Sequence, residues 1–113
     1  MSRGAVETAR LIKKMGGNPY SAFGLCLLGD FEATVFSEFS HNRKYGETLV
    51  TKEKYDSLAE GCYTAKAVMR LCEIYEVEMP ICEAVYDVIY KGIDVRSAMS
   101  RLFSRSIKEE FNI

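Results

Sequence analysis

The sequence predicts an all-α domain, and three features of the 113-residue chain support that fold class. Apolar residues recur every three or four positions along most of the chain, which is the spacing of one helix face. Residues 16–19, 80 and 92 supply Gly or Pro between these periodic runs. Residues 48–51 look briefly strand-like, but they are too short and too isolated to build a sheet.

The first helix is expected over residues 1–14, with Met1, Ala5, Ala9 and Ile12 on one side. It ends at residues 16–19, because Gly-Gly-Asn-Pro cannot continue a helix. Since residue 1 already lies in or at the edge of this helix, we expect either a complete protein or a domain cut from a longer chain.

A second helix is expected over residues 60–75, with Ala65, Val68 and Cys72 on one stripe and Lys66 and Arg70 facing away. The alternation of an apolar stripe with charged positions indicates that only one side of this helix packs against the rest of the domain.

Two short amphipathic helices follow. Pro80 suits the first turn of one, Gly92 can take the left-handed conformation just past its end, and Asp94 can cap the next. Their apolar faces are Ile81, Ala84, Val85, Val88 and Ile89, then Val95, Ala98, Met99, Leu102 and Phe103. We expect these helices to pack against each other and an earlier helix, with residues 109–113 as a loosely held tail.

Length and composition indicate one soluble globular domain over residues 1–113. Apolar residues make up 48%, charged residues 27%, and the formal net charge is −1. This balance does not predict a nucleic-acid partner. No apolar run reaches the ~20 residues of a membrane span, so a cytoplasmic location is expected.

The cysteines are expected to be reduced thiols that pack as small hydrophobes. The four of them have no CxxC spacing, and His41 is the one histidine of the sequence. A zinc site needs four such ligands at short spacings, so no metal site is expected.

Residues 24–46 carry polar side chains that a buried helical core does not need. Gly29-Asp30 marks a helix junction, where Asp30 either caps the following helix or accepts hydrogen bonds from substrate hydroxyls. Thr34 lies one turn later on the same face, either as an ordinary helical hydroxyl or as part of the same site. On the second interpretation, this segment binds a small, polyhydroxylated anion.

The next polar segment is Ser40-His41-Asn42-Arg43-Lys44. Free N–H groups at a helix start, a hydroxyl, an amide and nearby cations together can cradle a phosphate. The alternatives are a solvated pair for Arg43 and Lys44 and a surface position for His41. The residues thus predict one pocket for a small phosphorylated polyol. The sequence contains no nucleophile–base pair, metal cluster or Gly-rich nucleotide loop, so catalysis by this chain alone is not expected.

Five blocks along the chain follow the pattern of a known family. They are Ser2-Arg3-Gly4, then Gly24-Leu25 with Leu28-Gly29-Asp30, then Ser40, Asn42, Arg43 and Gly46, then Glu60-Gly61 with Thr64, and finally residues 77–86. In these blocks and their order the chain resembles the C-terminal, substrate-binding domain of bacterial-type NAD(P)-dependent glycerol-3-phosphate dehydrogenase. The resemblance covers nearly the whole chain.

The resemblance implies a compact helical fold of the 6-phosphogluconate-dehydrogenase C-terminal-like type. It implies interconversion of sn-glycerol 3-phosphate and dihydroxyacetone phosphate with NAD or NADP, which an N-terminal Rossmann-type domain would bind. It also implies a base lysine upstream of Met1. A homodimer is expected too, because the absence of that N-terminal domain leaves apolar surface exposed on this chain. No G-x-G-x-x-G loop occurs in this chain.

The resemblance also assigns site residues. Asp30, Ser40 and Asn42 match the family's substrate-binding positions, and Thr34 joins them through the face it shares with Asp30. Glu60 and Leu58 match positions that line the cofactor.

His41 departs from the pattern, because the family usually has an arginine there that touches both substrate phosphate and cofactor. Histidine is shorter, has no bidentate fork and is only partly charged near neutral pH. Arg43 lies roughly 200° around a helix from His41 and cannot simply replace that arginine.

Two other functions stay open at this point. One is a non-catalytic helical interaction module that kept the scaffold and lost the chemistry. The other is a related dehydrogenase that acts on a different phosphorylated or carboxylated hydroxy compound.

Overall fold

The computed structural model describes residues 2–24, 41–51 and 60–104. In chain order these form α1 (Ser2–Lys14), a 3₁₀ helix (Pro19–Phe23), α2 (His41–Thr51), α3 (Glu60–Tyr75), α4 (Pro80–Tyr90) and α5 (Val95–Phe103). Within those ranges no residue is in a β-strand, which confirms the all-α prediction. None of the described helices is long and apolar enough to cross a membrane.

Helix α1 is buried on two opposite sides. Ala5 and Ala9 are buried as predicted, but so are Glu7 and Leu11, which lie on the other side at 100° per residue. Sequence periodicity gave one buried side because an acidic residue is not expected in a core. Helix α1 packs mainly against the 3₁₀ helix and also contacts α3 and α4, while α4 packs between α3 and α5.

The predicted break after α1 is confirmed. Gly16 has a φ of 91°, a left-handed value that favours glycine, and the Gly17 amide donates to the Ile12 carbonyl at 2.8 Å. Asn18 then caps the 3₁₀ helix, since its side-chain oxygen accepts from the Tyr20 amide at 3.0 Å. The chain therefore reverses direction within a few residues of the end of α1.

Residues 48–51 are helical despite their strand-like composition, which agrees with the expectation that they build no sheet. The Thr48 hydroxyl donates to the Tyr45 carbonyl at 2.7 Å, and the Thr51 hydroxyl donates to the Glu47 carbonyl at 3.1 Å. Both threonine hydroxyls therefore bond to a backbone carbonyl of the preceding turn. The strand propensity of these four residues is outweighed because α2 begins at His41 and continues through them.

Helix α3 has the predicted bounds and the predicted stripe. Ala65 is buried, Val68 and Cys72 are half-buried, and Lys66 and Arg70 are exposed. Beyond its end Glu76 takes a left-handed φ of 54° and the Val77 amide donates back to the Cys72 carbonyl at 3.1 Å. This turn sends the chain directly into α4.

Helices α4 and α5 pack against each other around a Gly turn, as predicted. Gly92 has a φ of 70°, and the Asp94 carboxylate accepts from the Ser97 amide at 3.3 Å. Of the expected α5 face, Ala98 is buried, but Met99 is 48% and Phe103 is 75% exposed. The expected core face of α5 is therefore only partly covered.

Candidate functional site

The structure places three of the predicted site residues at helix starts. His41 and Asn42 are the first two residues of α2, and Glu60 is the first residue of α3. Asp30, Thr34, Ser40 and Leu58 lie outside the described residues. The predicted helix start at the phosphate-cradle segment is therefore confirmed, while the predicted roles of all seven residues stay predictions.

The beginnings of α2 and α3 lie next to each other. Tyr45, one turn after His41, shares a hydrogen bond with Cys62 in the first turn of α3. Burial, and then the neighbouring Cys62, raise the pKa of the Tyr45 phenol. Tyr45 and Cys62 also line the same groove, so the first turns of α2 and α3 lie on one side of the fold.

Helix α4 holds the same end of α3. The Tyr90 hydroxyl donates to the Cys62 carbonyl at 2.6 Å, and the Lys66 ammonium lies 5.8 Å from the centre of the Tyr90 ring. This is within the range of a cation–π contact. The start of α3 is therefore fixed from two sides, by α2 and by α4.

Arg43 forms a surface ion pair. Its Nε lies 3.3 Å from Glu47 Oε1, with side-chain exposures of 41% and 62%. An i, i+4 pair at such exposure contributes ~0.3–0.5 kcal/mol. Lys44 is also exposed. Arg43 and Lys44 are therefore both exposed to solvent, as the surface-pair alternative expected.

An apolar groove of about 350 Å³ lies beside these helix starts. It is bounded by Tyr45 and Leu49 of α2, Cys62 of α3, Val85 of α4 and Met99 of α5. Apart from Tyr45 and Cys62 these side chains are apolar, so burying the hydroxyls and phosphate of a polyol among them would be costly. None of the seven predicted site residues lines this groove, and the predicted polyol pocket stays a prediction.

Two buried carboxylates were missed by sequence reasoning. Glu7 and Asp87 are each 4% exposed, on α1 and α4. Asp87 Oδ1 lies 3.3 Å from Lys91 Nζ, and its Oδ2 lies 3.4 Å from an Arg101 nitrogen. The sequence signal for Glu7 was indirect. Met79 precedes α4 and has no side-chain oxygen to cap it, so the first amides of α4 need an acceptor from elsewhere, and Glu7 accepts from Ile81 and Cys82.

Glu7 also influences a neighbouring thiol. Burial, and then the Glu7 charge, raise the pKa of the Cys82 thiol to about 11. Burial raises the pKa of the Cys72 thiol as well. Both remain protonated at neutral pH, in agreement with the expectation of thiols that pack rather than react. Among the described residues no group of three or more His, Cys, Asp or Glu could hold a metal ion.

The amino-acid sequence matches the model of a known protein family. The model of the C-terminus of NAD-dependent glycerol-3-phosphate dehydrogenase matches residues 1–100. The chain belongs to this family. The resemblance found in the five sequence blocks is thereby confirmed.

Curated relatives agree with the dehydrogenase family. A glycerol-3-phosphate dehydrogenase (NAD(P)+) of Bacillus cytotoxicus is 43% identical over 97% of this chain and 34% of its own length. Proteins of the same name from Bacillus thuringiensis and Bacillus mycoides are each 41% identical over the same shares. The chain thus spans about a third of the length of these relatives.

Proposed function

We propose that this chain is the substrate-binding domain of a dehydrogenase that interconverts sn-glycerol 3-phosphate and dihydroxyacetone phosphate with NAD(P)(H). The observation that carries the proposal is the family match over residues 1–100. The start of α2 at His41 supports it, because backbone N–H groups at a helix start favour an anion.

The proposed site divides into two ends. Asp30, with Thr34 on the same helical face, would accept hydrogen bonds from the substrate hydroxyls, as an ionised carboxylate does. Ser40, His41 and Asn42 would bind the phosphate at the start of α2. The secondary alcohol must lose a proton as its hydride leaves, and the base for that step is expected upstream of Met1.

The residues present fit only a small part of a dinucleotide. The sequence has no Gly-rich phosphate loop, and Glu60 with Leu58 and His41 would add contacts from this side. The nicotinamide cofactor supplies hydride transfer when bound. We therefore propose that an N-terminal Rossmann-type domain holds most of the cofactor, and that the complete enzyme is a cytoplasmic homodimer.

A domain exchange tests the activity. This chain replaces the C-terminal third of the Bacillus cytotoxicus relative, and the matched control rejoins that relative's own C-terminal third at the same junction. We expect both enzymes to oxidise NADH when dihydroxyacetone phosphate is added, and this chain alone to be inactive. A chimera that unfolds cooperatively and binds NADH but shows no turnover, beside an active control, overturns the proposal and favours the interaction module.

The phosphate end is tested by His41→Arg in the same chimera. An arginine offers a permanently charged bidentate fork where the histidine does not. We expect KM for dihydroxyacetone phosphate to fall by roughly tenfold, which corresponds to one charge-assisted hydrogen bond. The reference substrate is unphosphorylated dihydroxyacetone, for which KM should not change. An unchanged KM for both would remove position 41 from the phosphate site.

The homodimer is tested by light scattering of the purified chimera across concentration. Partly exposed apolar side chains such as Val85 and Met99 support self-association. A constant monomer mass up to high concentration would contradict the proposed dimer.

A further inference from the structure

The Tyr90 hydroxyl joins the end of α4 to the beginning of α3. Tyr90 is the last residue of α4, and its hydroxyl donates to the Cys62 carbonyl at 2.6 Å. Cys62 is the third residue of α3. An O–H···O bond of this length lies at the short end of the usual range. The first turn of α3 is therefore bound directly to the neighbouring helix.

That turn is held by hydrogen bonds rather than by burial. Cys62 is half-buried, Tyr63 is 68% exposed and Thr64 is exposed. Among the residues of α3 whose exposure is described, burial begins at Ala65. Helix ends without buried contacts open locally at little cost in free energy. Packing thus holds α3 from its second turn onward, and the order of its first turn depends on side chains from α2 and α4.

Two neighbours orient the Tyr90 ring for this bond. The Lys66 ammonium lies 5.8 Å from the centre of the ring, and the centre of the Tyr86 ring lies 5.0 Å away. Both distances are favourable for contacts with an aromatic ring. Because these contacts already restrict the ring, little further conformational entropy is lost when the hydroxyl binds the Cys62 carbonyl.

We propose that Tyr90 is a positioning residue for cofactor binding. By holding the first turn of α3, it keeps Glu60, the first residue of that helix, in place to contact the nicotinamide cofactor. Glu60 precedes Cys62 by two residues, which is about 3 Å along the helix axis. This inference rests on the proposed function, because the cofactor contact of Glu60 is itself part of that proposal.

The test compares Tyr90→Phe with wild type in the domain-exchange enzyme. Phenylalanine keeps the ring and loses only the hydroxyl, and the variant should fold because Tyr90 is 41% exposed. We expect the dissociation constant for NADH, measured by fluorescence titration, to rise by at least about threefold, as for the loss of one hydrogen bond. KM for dihydroxyacetone phosphate should change less than about twofold, because the proposed phosphate residues precede or begin α2.

Hydrogen exchange supplies a readout that does not depend on the cofactor. In the enzyme without NADH, the amides of residues 64–66 close the first turn of α3. They should exchange at least about threefold faster in Tyr90→Phe, because that turn opens more often.

Tyr86→Phe is the matched control. It makes the same substitution one turn earlier on α4, and within the described ranges the Tyr86 hydroxyl makes no hydrogen bond. This variant should leave both the exchange of residues 64–66 and the dissociation constant for NADH unchanged. Equal effects of the two substitutions would overturn the inference, because the bond to Cys62 would then not be their cause.

A double-mutant cycle with Glu60→Ala shows whether Tyr90 acts through Glu60. Glu60→Ala should itself weaken NADH binding, and adding Tyr90→Phe to it should change the dissociation constant less than about 1.5-fold. Additive effects overturn the inference, and so does a Tyr90→Phe enzyme with wild-type affinity for NADH, while an active chimera keeps the proposed function. An inactive wild-type chimera beside an active control overturns both.

Discussion

The ion pairs of Asp87 predict an asymmetry between removing the anion and removing its cations. The Asp87 side chain is 6% exposed, whereas those of Lys91 and Arg101 are 61% and 59% exposed. When the carboxylate is removed, both cations rehydrate at little cost. When both cations are removed, the Asp87 carboxylate stays buried and its negative charge has neither Lys91 nor Arg101 to neutralise it.

The magnitude follows from that difference in burial. Removing the partners of a buried ion costs ~3–5 kcal/mol. We therefore expect the double variant Lys91→Met, Arg101→Met to lose about 3 kcal/mol of unfolding free energy. Asp87→Asn alone should lose about 1 kcal/mol, the value of a typical hydrogen bond. Because Oδ1 has no hydrogen bond even with Lys91 3.3 Å away, its contribution is mainly ionic.

Urea unfolding followed by circular dichroism measures these values. The decisive sample adds Asp87→Asn to the double variant. The triple variant should recover about 2 kcal/mol, because the buried charge that caused the loss is gone. If the triple variant is no more stable than the double, the asymmetry argument is wrong and the cations stabilise the fold through their packing.

Four further predictions concern stability and thiol chemistry. With its pKa raised to about 11, Cys82 should react with iodoacetamide at pH 8 about a hundredfold more slowly in the native protein than in urea, and equal rates would contradict its burial beside the Glu7 carboxylate. The Cys82 thiol of the unfolded chain loses its proton at a lower pH than the native thiol does. The free energy of unfolding should therefore fall between about pH 9 and 11, and the midpoint of urea unfolding measures this fall. Gly16→Ala should lower the free energy of unfolding by about 1 kcal/mol, because Gly16 has a φ of 91°. Gly4→Ala should raise it by a similar amount, because Gly4 lies in α1 and a Cβ there meets nothing within 4 Å. Changes of the same sign in both variants would refute this. Asp94→Ala should cost about 1 kcal/mol by loss of the cap of α5, and an unchanged melting temperature would count against it.

The helices could be predicted because their signals are local. Pro80, Gly92 and Asp94 act on their own segment, and the structure confirms all three in their expected roles. Residues 48–51 look strand-like because three of the four are β-branched, but α2 continues through them.

Glu7 shows what local signals leave out. Its partners are 74 and 75 positions away, so no window of the sequence contains both the acid and the amides it binds. Its burial contradicts the usual rule for acids, and only the missing cap at Met79 pointed to an acceptor from elsewhere. For the candidate site, the sequence could predict that His41 and Glu60 open helices. The contact between Tyr45 and Cys62, which joins those helix starts, is a tertiary feature.

The central claim is that this domain selects a phosphorylated three-carbon substrate. The most direct measurement is the ratio of kcat/KM for dihydroxyacetone phosphate to that for dihydroxyacetone in the domain-exchange enzyme. Loss of the phosphate removes several charge-assisted hydrogen bonds, each worth ~1.5–3 kcal/mol. We expect a ratio of at least about a hundred; a ratio near one in an active, folded enzyme would contradict the claim.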